Sequence, residues 1–232
     1  FTLIYDLGGG TFDVSILEMF EGILDVKSSR GNDRLGGKDF DSRIEKYIEK
    51  EFEKTYNQNL YKGLDVKNKL SIKLRVKEAA INAKKELSTQ LSTTINIPFI
   101  TIIDNKPVSI GMELTRDKFN QLTKDLVIST TEKIDEALKA AKLKEKDIDR
   151  VLLIGGSSRI PAVKELVEKK FKGKIITGIN PDEAVAMGAA IQAGIKGNQI
   201  TDVENLIITD KCSYNLGTSI IKIGDGKVIS GA

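Results

Sequence analysis

Residues 6–13 read Asp6-Leu7-Gly8-Gly9-Gly10-Thr11-Phe12-Asp13, and the reading of this stretch decides the fold. Phe1 to Asp6 is an apolar run, the three glycines break it, and Thr11 to Phe20 resumes it. Glu21-Gly22 is a second turn signal, followed by Ile23 to Ser28. Apolar runs separated by glycine turns predict a three-strand meander. A strand, not a helix, follows the glycines, and no Gly-Lys-Ser/Thr comes after them, so the turn is not a Walker loop. Without Cβ atoms its backbone N–H groups can come close to an anion. Thr11 and Asp13, two residues apart, share a face of the second strand, and Asp6 closes the first. Two carboxylates and a hydroxyl around such a turn can hold phosphate oxygens and a hydrated cation. Most glycine-rich hairpin turns, however, are only turns.

The remaining composition narrows the chemistry. The chain has 232 residues, no His, no Trp and one Cys, and 36 Lys+Arg against 33 Asp+Glu leave a net charge of +3. Without His there is no Ser-His-Asp or Cys-His nucleophile system and no His metal site. One Cys excludes an internal disulfide and a Cys-rich zinc cluster. The small net charge demands neither nucleic acid nor membrane as a partner. No apolar run approaches the roughly 20 residues that span a bilayer. The excess of Lys over acids at 62–86 reads first as a solvated helix face. The text opens at Phe1 already as strand, which is the expectation for a piece of a longer protein.

Further along, Phe40, Ile44, Tyr47, Ile48 and Phe52 recur at helical spacing and predict a helix over 41–57. A second helix covers 64–88, with Ile72, Val76, Ala80, Ala83 and Leu87 as its stripe. Strands return at 93–114 around a turn at Asp104-Asn105-Lys106-Pro107. Thr115 caps a helix over 116–141. Val151 to Ile154 is a buried strand, Gly155-Gly156 follow it, and Pro161 opens a helix. Pro181 opens another, with Asp182 and Glu183 in its first turn and a run of small residues beyond. From 196 the text turns polar, carries Leu206-Ile207-Ile208, and leads to a strand near 213–223.

Three more stretches can carry chemistry. Gly155-Gly156-Ser157-Ser158-Arg159 ends a buried strand at a helix start, a natural ligand position where Arg159 can lay its guanidinium on a base. The same text equally makes a plain connection with an exposed Arg. Ile81, Lys84, Lys85 and Ser88 project together from one helix and can touch a ribose or base, although a solvated Lys face reads more simply. Gly36-Gly37 before a helix make another anion-tolerant turn, or only a junction.

Taken in order, YDLGGGTFDVS (5–15), LGGKDFDS (35–42), 76–88, VLLIGGSSRIP (151–161) and NPDEAVAMGAA (180–190) resemble the second lobe of the actin-like ATPase domain of DnaK-type chaperones, the 70-kDa heat-shock family. The resemblance implies an α/β fold, an actin-like (ribonuclease-H-like) ATPase lobe with an inserted α+β subdomain. Residues 1–37 and 117–197 would form the ribonuclease-H-like part and 38–116 the insertion. Residues 198–212 would be an interdomain linker, and 213–232 the truncated start of a peptide-binding β-domain. It implies ATP/ADP, Mg2+ and K+ as cofactors. Asp6, Thr11 and Asp13 take the catalytic positions, with Asp6 and Asp13 meeting the metal mostly through water. Gly8, Gly9, Gly10, Thr11 and Gly37 match phosphate contacts. Lys84, Lys85, Ser88, Gly155, Gly156, Ser157, Arg159 and Asp182 match the adenosine side. Leu206, Ile207, Ile208 and Asp210 match the linker. Implied partners are unfolded polypeptides, a J-domain co-chaperone and a nucleotide-exchange factor, in the cytoplasm, with no nucleic acid and no membrane.

Two departures stand out. Ile81 takes the place of a usual Glu on the adenosine stripe, which removes an acceptor for ribose hydroxyls. Lys38 replaces a usual acid beside the phosphate turn, where a cation can pair with phosphate or compete with the metal. Two readings of the parent protein follow: an ATP-hydrolysing folding chaperone, or a divergent nucleotide-responsive binder with little or no turnover. Filament-forming actin relatives and sugar kinases share the core, but LGGKDFDS and the apolar linker argue against them. Without the first lobe, the chain alone is expected to show no appreciable turnover.

Overall fold

The apolar runs around the glycine turn form β1 (Thr2–Leu7) and β2 (Phe12–Phe20), and β3 (Ile23–Asn32) completes the meander. A computed structural model of the chain describes residues 1–200, 207–209, 220–224 and 227–231. Cross-strand register sets Leu3 opposite Ile16, Tyr5 opposite Val14 and Leu7 opposite Phe12, and all six are fully buried. The alternation that buries these residues turns Ile4, Asp6, Asp13 and Ser15 to the other face. β3 runs four residues beyond the expected Ser28, still paired with β2.

Helix α1 (Gly37–Tyr56) buries Phe40, Ile44, Ile48 and Phe52, a stripe spaced by four residues. It begins before the expected residue 41 because the Asp39 carboxylate accepts the Gly36 N–H at 2.8 Å, closing the first turn. Helix α2 (Val66–Glu86) is capped by Asp65, whose carboxylate accepts the Asn68 N–H at 2.7 Å. The hairpin β4 (Ser92–Ile103) and β5 (Lys106–Thr115) forms its own two-stranded sheet; α2 packs on β4, and α1 packs on α2.

Thr115 caps α3 (Arg116–Ala141), accepting the Lys118 N–H at 3.2 Å. This helix packs on β2 and β3, where the buried Ser28 hydroxyl donates to the Ala137 carbonyl at 2.9 Å. β6 (Arg150–Ile154) adds in parallel beside β1, and α4 (Pro161–Lys170) opens on Pro161 as expected. The last helix, α5 (Ala184–Lys196), does not open on Pro181. Residues 181–183 form a turn instead, because the Pro181 carbonyl accepts the Gly155 N–H at 3.0 Å and is spent outside the helix.

β7 (Ile207–Thr209) pairs in parallel with the edge strand β3, which gives one five-stranded sheet in the order β6-β1-β2-β3-β7. Of the residues expected in a linker, Ile207 and Ile208 lie in that strand; Leu206 and Asp210 fall outside the described residues. β8 (Ile220–Gly224) and β9 (Lys227–Gly231) form an antiparallel pair. The strand expected near 213–223 overlaps β8, and 213–219 also lie outside the described residues. Among the described residues no helix is long and apolar enough to cross a membrane.

Candidate functional site

The glycine turn is bound to two other elements through its carbonyls. The Gly8 N–H donates to the Thr11 carbonyl at 3.0 Å and closes the turn. The Gly8 carbonyl accepts the Gly37 N–H at 2.9 Å and the Ser157 hydroxyl at 3.0 Å, and the Gly9 carbonyl accepts the Lys38 N–H at 2.9 Å. The turn is thus pinned by the start of α1 and by the short 3-10 segment Gly156–Arg159. Its N–H groups are left over: those of Gly9, Gly10 and Thr11 donate to no acceptor among the described residues. Successive unpaired amides of this kind attract an anion.

Two glycines make this junction possible. A Cβ on Gly36 would stand 2.5 Å from the backbone of Gly10, so α1 can meet the turn only with glycine there. Gly155 sits at φ +80°, and a Cβ there would stand 2.4 Å from the Leu7 carbonyl oxygen. Gly9 is different: a Cβ on it would meet nothing within 4 Å, so packing within the chain does not require glycine at that position.

The register places Asp6 directly opposite Asp13 on the face away from α3. Like charges on facing strands repel. Burial, then the Asp13 charge, pushes the Asp6 carboxyl above its ordinary pKa. Burial, then the charge of Asp33, does the same to Asp13. Among the described residues no group of three or more Asp, Glu, Cys or His side chains converges on a metal position. Two carboxylates suit a cation that keeps its waters and takes further ligands from phosphate, and they do not suit a protein-only cage. A cation there would offset both the desolvation of the two carboxylates and the repulsion from their neighbouring acids.

Beside the turn lies a cleft of about 420 Å³, lined by Gly9, Lys84, Lys85, Ser88, Gly156 and Arg159, with Ser157 and Asp182. Eight residues expected at a nucleotide from sequence therefore converge on one concavity, from four separate stretches of chain. Asp6, Gly8, Gly10, Thr11, Asp13, Gly37 and Gly155 do not line it and surround the adjoining turn. Thr89 and Ile160 also line it, beyond the residues expected from sequence; Thr89 directly follows Ser88, the last residue of the helical stripe. Ile81 is half-buried and does not line it. A larger groove of about 870 Å³ runs between α4 and residues 175–181. It shares Arg159 with the cleft but contains neither the glycine turn nor the carboxylates, so size alone does not mark the site.

Two expected contacts already have partners within the chain. The Lys84 ammonium donates to the Gly37 carbonyl at 3.0 Å. It also lies 2.8 Å from Asp41 Oδ1, a buried ion pair whose angle makes no hydrogen bond. Asp182 braces Arg159: its Oδ2 accepts from Nη2 at 2.8 Å and from Nε at 3.2 Å, while Asn180 Oδ1 accepts from Nη2 at 2.6 Å. Arg159 is thereby held with its plane at the cleft mouth. Asp41 was not singled out from sequence, because nothing local in LGGKDFDS shows that a lysine forty residues later will fold against it. Lys85 forms no ion pair among the described residues, and the Ser88 hydroxyl donates to the Lys84 carbonyl at 3.3 Å.

A pinned glycine turn with free amides, a facing pair of carboxylates and an adjoining cleft lined by Arg159 thus lie together on a mixed α/β fold compatible with an actin-like ATPase. In agreement with that geometry, the family model described as Hsp70 protein matches residues 1–228. The chain belongs to the Hsp70 family.

Proposed function

We propose that the glycine turn receives the phosphates of an adenine nucleotide and that the adjoining cleft receives its adenosine. The Hsp70 family are nucleotide-binding chaperones whose ATPase domains use ATP or ADP with Mg2+, and whose clients are unfolded polypeptides. In this reading Gly9, Gly10 and Thr11 donate backbone N–H groups to phosphate oxygens. Asp6 and Asp13 face the hydrated Mg2+ and K+ ions, and Lys85, Ser88 and the braced Arg159 border the adenosine. Residues 1–37 and 117–197 act as the ribonuclease-H-like frame, and 38–116 as the insertion over the nucleotide. Ile207 and Ile208 act as part of the linker toward a peptide-binding domain, where a J-domain partner would engage. The parent protein would then couple ATP hydrolysis to client binding and release. A bound divalent ion supplies the charge neutralisation that phosphoryl transfer needs.

One observation carries this reading: the turn's carbonyls are tied down, its amides are free, and Gly9 has open space where no internal contact demands glycine. Gly9→Ala tests it directly. The variant should melt like the unaltered chain and bind ADP with Mg2+ at least about tenfold more weakly by calorimetry, since its methyl group blocks close approach of a phosphate. Equal affinities would overturn the reading. The Lys38 cation beside the glycine turn favours a second version, a nucleotide-responsive binder with little turnover. Phosphate release by the parent protein at varied Mg2+ and K+ separates the two.

A further inference from the structure

We infer that Lys38 is a phosphate-binding residue, a cation that this chain adds to the glycine turn. The inference rests on the nucleotide reading above and extends it by one side chain.

Three observations converge on Lys38. It is the second residue of α1, where the helix dipole disfavours a cation and favours an acid. Asp39, one residue on, fills the acidic role. A residue that breaks a local rule invites a reason outside the helix. Lys38 is also exposed and forms no salt bridge among the described residues. Asp33 and Asp39 stand close to it in the chain, and neither pairs with it. Finally, its ammonium sits over the turn: Nζ lies 3.6 Å from the point a Cβ on Gly10 would occupy. The Lys38 N–H is anchored on the Gly9 carbonyl at 2.9 Å, which fixes the root of the side chain relative to the turn.

The free amides of Gly9, Gly10 and Thr11 and one unpaired ammonium therefore share a small region. An oxyanion carrying more than one negative charge complements that set, and a nucleoside diphosphate or triphosphate presents one. Amides supply direction, and lysine supplies a mobile point charge that can follow the terminal phosphate. Lys38 does not pair with Asp6 or Asp13, so those carboxylates stay available to a cation.

The test is calorimetry on the whole chain with adenosine, ADP and tripolyphosphate in Mg2+, comparing Lys38→Met, Lys38→Arg and Gly9→Ala. Lys38→Met should weaken ADP and tripolyphosphate about tenfold or more and leave adenosine unchanged, because a charged hydrogen bond to phosphate is lost. Lys38→Arg should restore most of the affinity. An exposed side chain leaves the melting curve unmoved. If Gly9→Ala weakens ADP and Lys38→Met does not, the inference fails and the nucleotide reading stands. If Lys38→Met weakens adenosine equally, phosphate pairing is refuted. Should neither substitution alter ADP binding, or should ADP not bind at all, both readings fall together.

Discussion

Asp6 and Asp13 weaken the sheet they stand on. Their carboxyls are held above the ordinary value of 3.8 by burial and by neighbouring acids. Between 3.8 and the raised values the native chain binds more protons than the unfolded chain, so stability falls as pH rises through that window. At neutral pH the ionised pair is a net loss. Asp6→Asn should therefore raise the melting midpoint at pH 7 in chelator without nucleotide, with the gain shrinking as pH falls toward 3.8. Asp13 is exposed and Asp6 half-buried, so solvent screening limits the shift to a few degrees. Scanning calorimetry across pH checks this, and a midpoint lowered at pH 7 would contradict it. The same variant should bind Mg2+–ADP more weakly, the trade expected where a site works against its scaffold.

At the scale of elements, α1, α2 and β7 each show a different kind of fastening. α1 is hydrogen-bonded to the glycine turn through backbone alone. α2 is joined to α1 by Lys84, whose buried charge is met by Asp41 and the Gly37 carbonyl. β7 is held on β3 by its backbone and by the Thr209 hydroxyl, which donates to Asp25 at 2.5 Å. Asp25 is itself paired with Lys27, which also reaches Glu18. Edge strands this short depend on such anchors. Thr209→Val removes a hydrogen bond to a charged group, worth about 1.5–3 kcal/mol. Hydrogen exchange at the Ile207 amide, which donates to the Gly22 carbonyl at 3.0 Å, should then quicken by about tenfold or more. Unaltered exchange would show that the backbone ladder alone holds the strand.

At the scale of the whole molecule, α3 packs on β2 and β3 and α4 packs on α3, while α5 buries none of its residues. Val185, Met187 and Ile191 on α5 are 65%, 53% and 48% exposed. Met187 and Ile191, four residues apart, share one exposed face, and apolar side chains displayed together invite association. Met187→Glu combined with Ile191→Lys should reduce self-association in sedimentation and leave the melting midpoint in place, because no core contact is removed. A fallen midpoint would mean that α5 contributes to the packed core after all.

Much of this molecule is legible in its text. The strand–glycine–strand opening, the four-residue stripe of α1, the Thr115 cap and Pro161 at the start of α4 all act within a few residues, so local sequence is enough to read them. The glycine stretches are legible too, although it is Gly36 and Gly155, packed against the turn, and not Gly9 within it, that the fold itself requires to lack a Cβ. A turn at 181–183 replaces the helix start that Pro181 predicts, because its deciding bond comes from Gly155, far away in the chain. The sequence by itself determined the elements, their apolar faces and the residue types around the turn. Only the tertiary structure decided which groups of the turn are spent and which are free. It set Asp6 against Asp13, committed Lys84 to Asp41 and Asp182 to Arg159, and left Lys38 over the amides. The reason is physical: propensity and periodicity act over one or two turns of chain, whereas charge pairing and hydrogen-bond completion depend on distances in space that no local pattern encodes.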